Sequence, residues 1–193
     1  MKLLKAIVCV IFAVALSAQA GTVLCIGLND YTQKKYPDLK HAENDATEVA
    51  KMFTKLGHEV QVLTSAQVTT ANVQKALAAG PDFVYFAGHA ETGRLILQDG
   101  EIALADVADS GTMMFLDCCY VGRGLKSSGT MKILAASEYE AFESGNHGIF
   151  TKYLLSWLKD GKSLAAESGL TAYLQKHIGS ETGGWQKPVL GFI

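Results

Sequence analysis

The sequence lacks the features that mark several large classes of protein. Three prolines and four cysteines in 193 residues fit neither a proline-rich linker nor a dense disulfide framework. The 17 basic residues are interspersed with 19 acidic ones, giving a net charge of -2, which argues against a nucleic-acid partner. No G-x-G-x-x-G phosphate loop opens a helix, and no apolar run reaches the roughly 20 residues of a membrane span. What remains is a chain that is 49% hydrophobic and long enough for one globular domain.

The first twenty residues have the pattern of a signal peptide. Two lysines among the first five residues precede the apolar run Ala6–Leu16, and Ala18-Gln19-Ala20 supplies the small residues that signal peptidase reads. We predict a signal peptide at 1–20 and an exported domain at 21–193, periplasmic or secreted, with no stable membrane span after cleavage. An uncleaved membrane anchor is the alternative.

Removal of that segment leaves an odd number of cysteines. Cys9 departs with the signal peptide, and Cys25, Cys118 and Cys119 remain. An odd number leaves at least one free thiol, which is open to reaction in an oxidising compartment. Composition alone does not separate a reactive thiol from cysteines that are buried as small apolar residues.

The rest of the chain alternates short apolar strands with amphipathic helices. We predict strands at 23–28, 59–63, 82–87, 112–116, 133–137 and 188–193, a hairpin within 94–104, and helices within 39–53, 69–79, 150–158 and 164–178. Fully apolar strands that alternate with helices indicate a parallel sheet covered on both faces. The prediction is one three-layer α/β domain with a mostly parallel six-stranded sheet and about five helices.

Two reactive side chains follow consecutive apolar strands. His89 comes directly after the strand that ends at Ala87, and Cys119 follows the strand that ends near Leu116. If the two strands are parallel neighbours, their ends lie at one sheet edge about 5 Å apart. An imidazole beside a thiol can take its proton and later protonate a leaving amine. Each residue alone has an inert interpretation, but together they predict a catalytic dyad.

These motifs resemble those of a known group of peptidases. Gly88-His89 and Asp117-Cys118-Cys119-x-x-Gly122 are similar to the Gly-His and Asp-x-Cys-x-x-Gly motifs of the caspase, metacaspase and paracaspase superfamily, and most similar to bacterial metacaspase-like proteins. Further segments resemble the family in the same order: VLCIGLNDY at 23–31, LKHAENDA at 39–46, GIFT at 148–151 and QKP at 186–188. The resemblance covers nearly the whole mature chain and implies a caspase-like fold.

The resemblance also implies a role for particular residues. It makes Cys119 the nucleophile and His89 the acid and base of a cysteine endopeptidase. The backbone N–H groups of Ala90 and Cys119 would form the oxyanion hole. Asp45 and Asp117 match the acids that bind the substrate's arginine or lysine, so the expected substrate is a peptide or protein with a basic residue at the cleavage point. Two carboxylates would attract a cation and repel the aspartate that animal caspases select.

The acidic residues also have structural interpretations. Asp45 is placed to stabilise the first turn of a helix, and Asp117 to serve as a loop acid or helix cap. The chain also departs from the family pattern at Ala42, Ala87, Ala90, Tyr120 and Val121. Ala42 and Ala87 are expected to weaken substrate affinity, and the departures at Ala87, Ala90, Tyr120 and Val121 favour an alternative function, a weak or inactive caspase-like module that binds a peptide or protein partner. A nucleotide-binding α/β protein is a third candidate, without a phosphate loop to support it.

The expected chemistry needs no organic cofactor and no metal. Calcium activates some relatives, but the sequence contains no dedicated calcium loop, and the histidines other than His89 lack metal-ligand spacing and are predicted to lie on the surface. Cys118 is expected to be an inert small residue, with a redox-active pair as the alternative. Lys126 is the candidate self-cleavage point between Gly124 and Lys132, although an intact single chain is expected. The sequence leaves the oligomeric state open.

Overall fold

A six-stranded sheet runs through the computed structural model, which describes residues 21–107, 111–164 and 167–193. The predicted signal peptide at 1–20 lies outside the described residues, so that part of the domain division stays a prediction. Within the residues described, no helix is long and apolar enough to cross a membrane.

The elements of the domain alternate along the chain as the sequence predicts. The strands are β1 (Thr22–Gly27), β2 (Glu59–Thr64), β3 (Phe83–Ala87), β4 (Ala90–Glu91), β5 (Arg94–Ile96), β6 (Glu101–Ala103), β7 (Met113–Asp117), β8 (Lys132–Ala135), β9 (Glu143–Ser144), β10 (His147–Gly148) and β11 (Val189–Phe192). The α-helices are α1 (Ala42–Lys55), α2 (Thr70–Leu77), α3 (Ile149–Lys159) and α4 (Glu167–Glu181). Four α-helices are thus found in the described parts of the chain, where about five were expected.

The main sheet has the order β11-β8-β7-β3-β1-β2. The neighbouring strands from β8 to β2 are parallel, and β11 closes the far edge antiparallel to β8. Two small antiparallel sheets, β4-β5-β6 and β9-β10, are added outside it. The predicted six-stranded, mostly parallel sheet is therefore confirmed.

Alternate residues of each central strand face two separate apolar layers. On β1, Val23 and Cys25 belong to one buried cluster, and Leu24 and Ile26 belong to the other. Helices α1, α3 and α4 cover the first face, whereas α2 and the β4-β5-β6 sheet cover the second. Because both faces are buried, the strands are apolar throughout, which is why they show no polar alternation in the sequence.

Helix α1 carries one of the predicted site residues on its buried side. Its apolar residues recur every three or four positions, and Ala46, Val49 and Phe53 are fully buried against the sheet. Asp45 lies in the first turn beside this apolar face and is only 2% exposed. The helix ends before Gly57, whose φ of +92° suits glycine.

Candidate active site

The carboxyl ends of β3 and β7 bring the two predicted reactive residues to one edge of the sheet. The strands are parallel neighbours, with Ala87 opposite Asp117, and the N–H of Gly88 donates to the Asp117 carbonyl at 3.4 Å. His89 and Cys119 follow directly and both line a cavity of about 280 Å³. Asp45 and Asp117 line the same cavity. All four residues singled out for their side chains are therefore brought together.

A larger cavity, of about 880 Å³, lies at the opposite edge of the sheet. It is formed at the amino ends of the strands and includes the ion pair between Lys132 and Glu167. We place the candidate site in the smaller cavity, since the thiol, the imidazole and two buried carboxylates converge there and ligands of parallel sheets bind at the carboxyl ends of the strands.

The His89 ring is held by three neighbours. Its Nε2 lies 2.8 Å from the carbonyl oxygen of Pro37, and its ring centroid is 4.8 Å from that of Tyr31 and 5.6 Å from that of Tyr36. The backbone N–H of His89 also donates to the Tyr31 hydroxyl at 2.7 Å. A carbonyl oxygen only accepts hydrogen bonds, so Nε2 carries the proton and Nδ1 is the basic nitrogen of the neutral ring.

The Cys119 thiol is half-buried and contacts a loop rather than a charged group. The N–H of Ala141 donates to Cys119 Sγ at 3.3 Å, and Sγ lies 3.9 Å from the carbonyl oxygen of the same residue. Burial raises the pKa of the Cys119 thiol, and the nearby Glu140 and Asp117 carboxylates act in the same direction, whereas the Ala141 hydrogen bond lowers it. Cys25 and Cys118 are free and buried.

Asp117 is a buried carboxyl that receives two hydrogen bonds. Its Oδ2 accepts from the Thr151 hydroxyl at 2.5 Å and from the Thr151 N–H at 3.1 Å. Since that hydroxyl gives its proton to Asp117, the contact between Tyr85 and Thr151 is made by Tyr85 as donor. Burial raises the pKa of Asp117 from 3.8 to about 7, and the charge of Asp45 adds to the shift.

Asp45 is engaged through both carboxylate oxygens by the segment that opens α3. Nδ1 of His147 lies 2.5 Å from Oδ1, and the N–H of Gly148 donates to Oδ2 at 2.8 Å. Burial raises the pKa of Asp45, and these two hydrogen bonds oppose that rise. His147, predicted to lie on the surface, is half-buried: its side chain is 27% exposed and pairs with a buried acid.

Ala90 and Tyr120, two of the departures from the family pattern, differ in their backbone conformation. Ser65 and Tyr120 are the non-glycine residues with positive φ among those described, so Ala90 does not need a left-handed conformation. Ala90 starts β4 directly after His89 and pairs with Leu95. Tyr120, by contrast, has φ of +59°, a strained conformation directly after Cys119.

The prediction from sequence missed three groups at the site. They are the backbone N–H of Ala141, the side chain of His147 and the side chain of Thr151. His147 directly precedes the Gly-x-Phe-Thr segment and Thr151 is its last residue, so that motif carried a signal of their position. Nothing in the sequence pointed to Ala141. In the residues that the structure describes, no group of three or more His, Cys, Asp or Glu side chains is arranged to hold a metal ion.

Comparisons with known proteins agree with this architecture. The fold is similar to the crystal structure of protein GSU0716 from Geobacter sulfurreducens, with a TM-score of 0.71 over 90% of this chain and 94% of that one, at 16% sequence identity. No curated protein matches the chain. The sequence model of the caspase domain, a family of cysteine peptidases, matches residues 20–191. The chain therefore belongs to the caspase-domain family.

Proposed function

We propose that the protein is a cysteine endopeptidase that uses Cys119 and His89 and cleaves peptides after arginine or lysine. One observation carries the proposal: the thiol, the imidazole and two buried carboxylates line a single cavity of about 280 Å³. This is slightly below the roughly 300–1,000 Å³ of pockets for whole small-molecule ligands. A cavity of this size suits one side chain of a longer substrate.

The proposed reaction proceeds through a thioester. Nδ1 of His89 takes the proton of the Cys119 thiol, and Sγ attacks the scissile carbonyl carbon of the substrate. The resulting oxyanion accepts hydrogen bonds from the N–H groups of Cys119 and Ala90. His89 then returns the proton to the departing amine, and a water molecule hydrolyses the thioester with His89 as base. The Pro37 carbonyl supports this role because it orients the ring with Nδ1 unprotonated.

The acids of the cavity supply the proposed specificity. Asp45 and Asp117 lie close enough that the charge of Asp45 raises the pKa of Asp117. A guanidinium or ammonium group between them would relieve that repulsion and form charge-assisted hydrogen bonds. An acidic side chain would add a third negative charge. The proposed preference is therefore for basic residues. The first contact would be Oδ1 of Asp117, since the hydrogen bonds that this carboxyl accepts from other described residues are made to Oδ2.

A non-catalytic caspase-like module that binds a basic peptide is the second candidate. It is favoured by the burial of the Cys119 thiol, which raises the pKa of that thiol. A raised pKa lowers the fraction of reactive thiolate at neutral pH. The two candidates share the same cavity and the same ligand chemistry, so they differ in turnover alone.

Reporter peptides test the proposal directly. Purified protein is incubated under reducing conditions, with and without calcium, with reporter amides of arginine, lysine and aspartate. We expect hydrolysis of the arginine or lysine reporters, its loss in Cys119→Ala and its retention in Cys25→Ala, which removes a buried thiol on β1 outside the cavity. An absence of Cys119-dependent hydrolysis of all three reporters would reject catalysis.

A labelling experiment separates the second candidate from the first. An arginyl chloromethyl ketone alkylates a reactive thiol irreversibly when its arginine occupies the cavity. Labelling of Cys119 supports the peptidase, whereas reversible binding of an arginine peptide without labelling or hydrolysis supports the binding module.

Export forms part of the same proposal. A signal peptide at residues 1–20 would release a chain that begins at Gly21, directly before β1. The mass of the protein recovered from the periplasm or the medium tests this, since a retained leader adds the mass of 20 residues.

A further inference from the structure

We propose that the backbone N–H of Ala141 is a catalytic group that stabilises the thiolate of Cys119. This inference deepens the proposed function by adding a hydrogen-bond donor at the reacting sulfur. It concerns the ionisation of the thiol before substrate attack, and is separate from the oxyanion hole.

The two contacts between Cys119 and Ala141 have opposite effects, and their lengths decide between them. A hydrogen bond from the Ala141 N–H favours the negatively charged sulfur, whereas the carbonyl oxygen can be contacted only by the neutral thiol as donor. The N–H lies 3.3 Å from Sγ, and the carbonyl oxygen lies 3.9 Å from it. The shorter contact is the one that favours the thiolate, and it strengthens when the sulfur acquires charge.

The thiolate otherwise has an unfavourable environment. Cys119 is half-buried, and the carboxylates of Glu140 and Asp117 are near enough to disfavour a further negative charge on its sulfur. His89 is engaged at Nε2 by Pro37 and at its ring faces by tyrosines. When its Nδ1 takes the proton from Sγ, the developing negative charge needs a donor other than His89 alone. The Ala141 N–H is already directed at the sulfur.

Hydrogen bonds on both sides of Ala141 hold its N–H in place. On one side the carbonyl of Tyr139 accepts from the N–H of Tyr120, at 2.6 Å, directly beside Cys119. On the other side the Phe142 N–H donates to Oε1 of Gln186 at 3.0 Å, and the Phe142 carbonyl accepts from Ile149 at 2.8 Å. The donor is therefore preorganised and does not need to be recruited when the charge forms.

Gln186 is a positioning residue for this donor. Its side chain is fully buried, and its Nε2 has no hydrogen-bond partner among the residues that the structure describes. A buried amide with an unsatisfied N–H group costs stability. The hydrogen bond that Oε1 accepts from the Phe142 N–H offsets this cost and fixes that end of the loop.

The test measures thiolate formation without requiring peptidase activity. Iodoacetamide reacts with the thiolate, so that a C–S bond forms, the C–I bond breaks and iodide leaves, and the rate against pH reports the pKa of Cys119. In one variant Ala141 is replaced by lactate, its α-hydroxy acid analogue, which changes the amide N–H to an ester oxygen. Ala141→Gly is the matched control, since it keeps the N–H. Peptide mapping identifies alkylation at Cys119.

We expect the lactate variant to react about tenfold more slowly at pH 7, with its pH midpoint about one unit higher, as for the loss of a hydrogen bond to a charged group. Ala141→Gly should stay within about twofold of the unmodified protein. Gln186→Met should shift the midpoint upward by less, while circular dichroism shows an unchanged fold. Identical pH profiles for the ester and the unmodified protein would overturn the proposal, as would an equal shift in Ala141→Gly.

The outcome is independent of the proposed peptidase activity. A shifted alkylation midpoint in a protein that cleaves no reporter would support the role of the amide and reject the peptidase. An active peptidase whose ester variant keeps the original midpoint would reject the role of the amide alone. A faster reaction of the ester variant would identify the Ala141 loop as a shield over the thiol, which also contradicts the proposal.

Discussion

Nδ1 of His147 lies 2.5 Å from Oδ1 of Asp45, a contact between residues 102 positions apart in the chain. It joins the first turn of α1 to the residues that open α3, and Asp45 and Gly148 line the candidate active site. The short segment 147–151 therefore supplies hydrogen-bond donors to both acids of the cavity. His147 and Gly148 donate to Asp45, and Thr151 donates to Asp117.

Loss of His147 should weaken the binding of basic substrates. In His147→Ala, Asp45 loses one of two hydrogen bonds that oppose the effect of burial, so its carboxylate binds a cation less well. We expect KM for an arginine reporter to rise about tenfold, as for the loss of a hydrogen bond to a charged group, with a smaller change in kcat. Steady-state kinetics measure both constants.

Two variants make that result specific. His177→Ala removes a half-buried histidine from α4 whose ring centroid lies 4.3 Å from that of Tyr173, and it should leave KM unchanged. His147→Asn keeps a hydrogen-bond donor and should recover part of the affinity. An unchanged KM in His147→Ala would show that Asp45 does not depend on this contact.

Asp117→Asn should stabilise the protein at high pH while impairing cleavage. Folding raises the pKa of Asp117 from 3.8 to about 7. Between pH 3.8 and about pH 7, the Asp117 carboxyl therefore keeps its proton in the folded protein and loses it in the unfolded chain. Stability from this group therefore falls as pH rises, and the cost is complete above about pH 7. The asparagine avoids a cost of up to about 4 kcal/mol.

Urea unfolding at pH 8 and pH 4.5 measures the difference in free energy between this variant and the unmodified protein. The advantage of the variant should be largest at pH 8 and should shrink at pH 4.5, where the native carboxyl is protonated. An equal difference in free energy at both values of pH would contradict a raised pKa of Asp117 in the folded protein. Hydrolysis of the arginine reporter should fall at pH 8, because one carboxylate of the cavity is missing.

Gly148→Ala should disturb the acidic pocket through a steric clash. A Cβ at this position would lie 2.2 Å from Oδ2 of Asp117, and the backbone φ of -57° is ordinary for alanine. We expect a loss of about 1–3 kcal/mol in stability from overpacking and a strong loss of activity on arginine reporters. Chemical denaturation and reporter kinetics measure the two effects.

Gly179→Ala provides the control for that substitution. Gly179 lies in α4, and a Cβ there meets no atom within 4 Å. This variant should keep its activity and gain up to about 1 kcal/mol from the higher helix propensity of alanine. Full activity in Gly148→Ala would show that the Asp117 carboxylate can move without consequence for specificity.

The chain should stay intact at Lys126. The Lys126 N–H donates to the Phe192 carbonyl at 2.8 Å, and its carbonyl accepts from Phe192 at 2.9 Å. A peptidase needs an extended, unpaired substrate, so cleavage here requires separation from β11. Mass spectrometry of the incubated protein should show one species, whereas a free peptide of residues 121–132 should be cut after Arg123 and Lys126. A fragment that ends at Lys126 in the folded protein would contradict this expectation.

The sequence by itself determined the order of the elements and the edge of the sheet at which the site lies. Strands buried on both faces must be apolar throughout, and helices that pack on the sheet must carry an apolar stripe. Both patterns can therefore be recognised in the sequence. The positions of His89 and Cys119 after two such strands then follow from the parallel topology, which brings strand ends together.

Only the tertiary structure decided what those side chains contact. The donor at Ala141 is a backbone N–H, which every non-proline residue has, so the residue type at this position gives no sign of its role. His147 and Asp45 meet because α1 and α3 pack side by side on one face of the sheet, and Gln186 reaches Phe142 from a loop 44 residues away. Such contacts depend on the packing of distant segments, whereas the strand and helix patterns depend on local periodicity and burial.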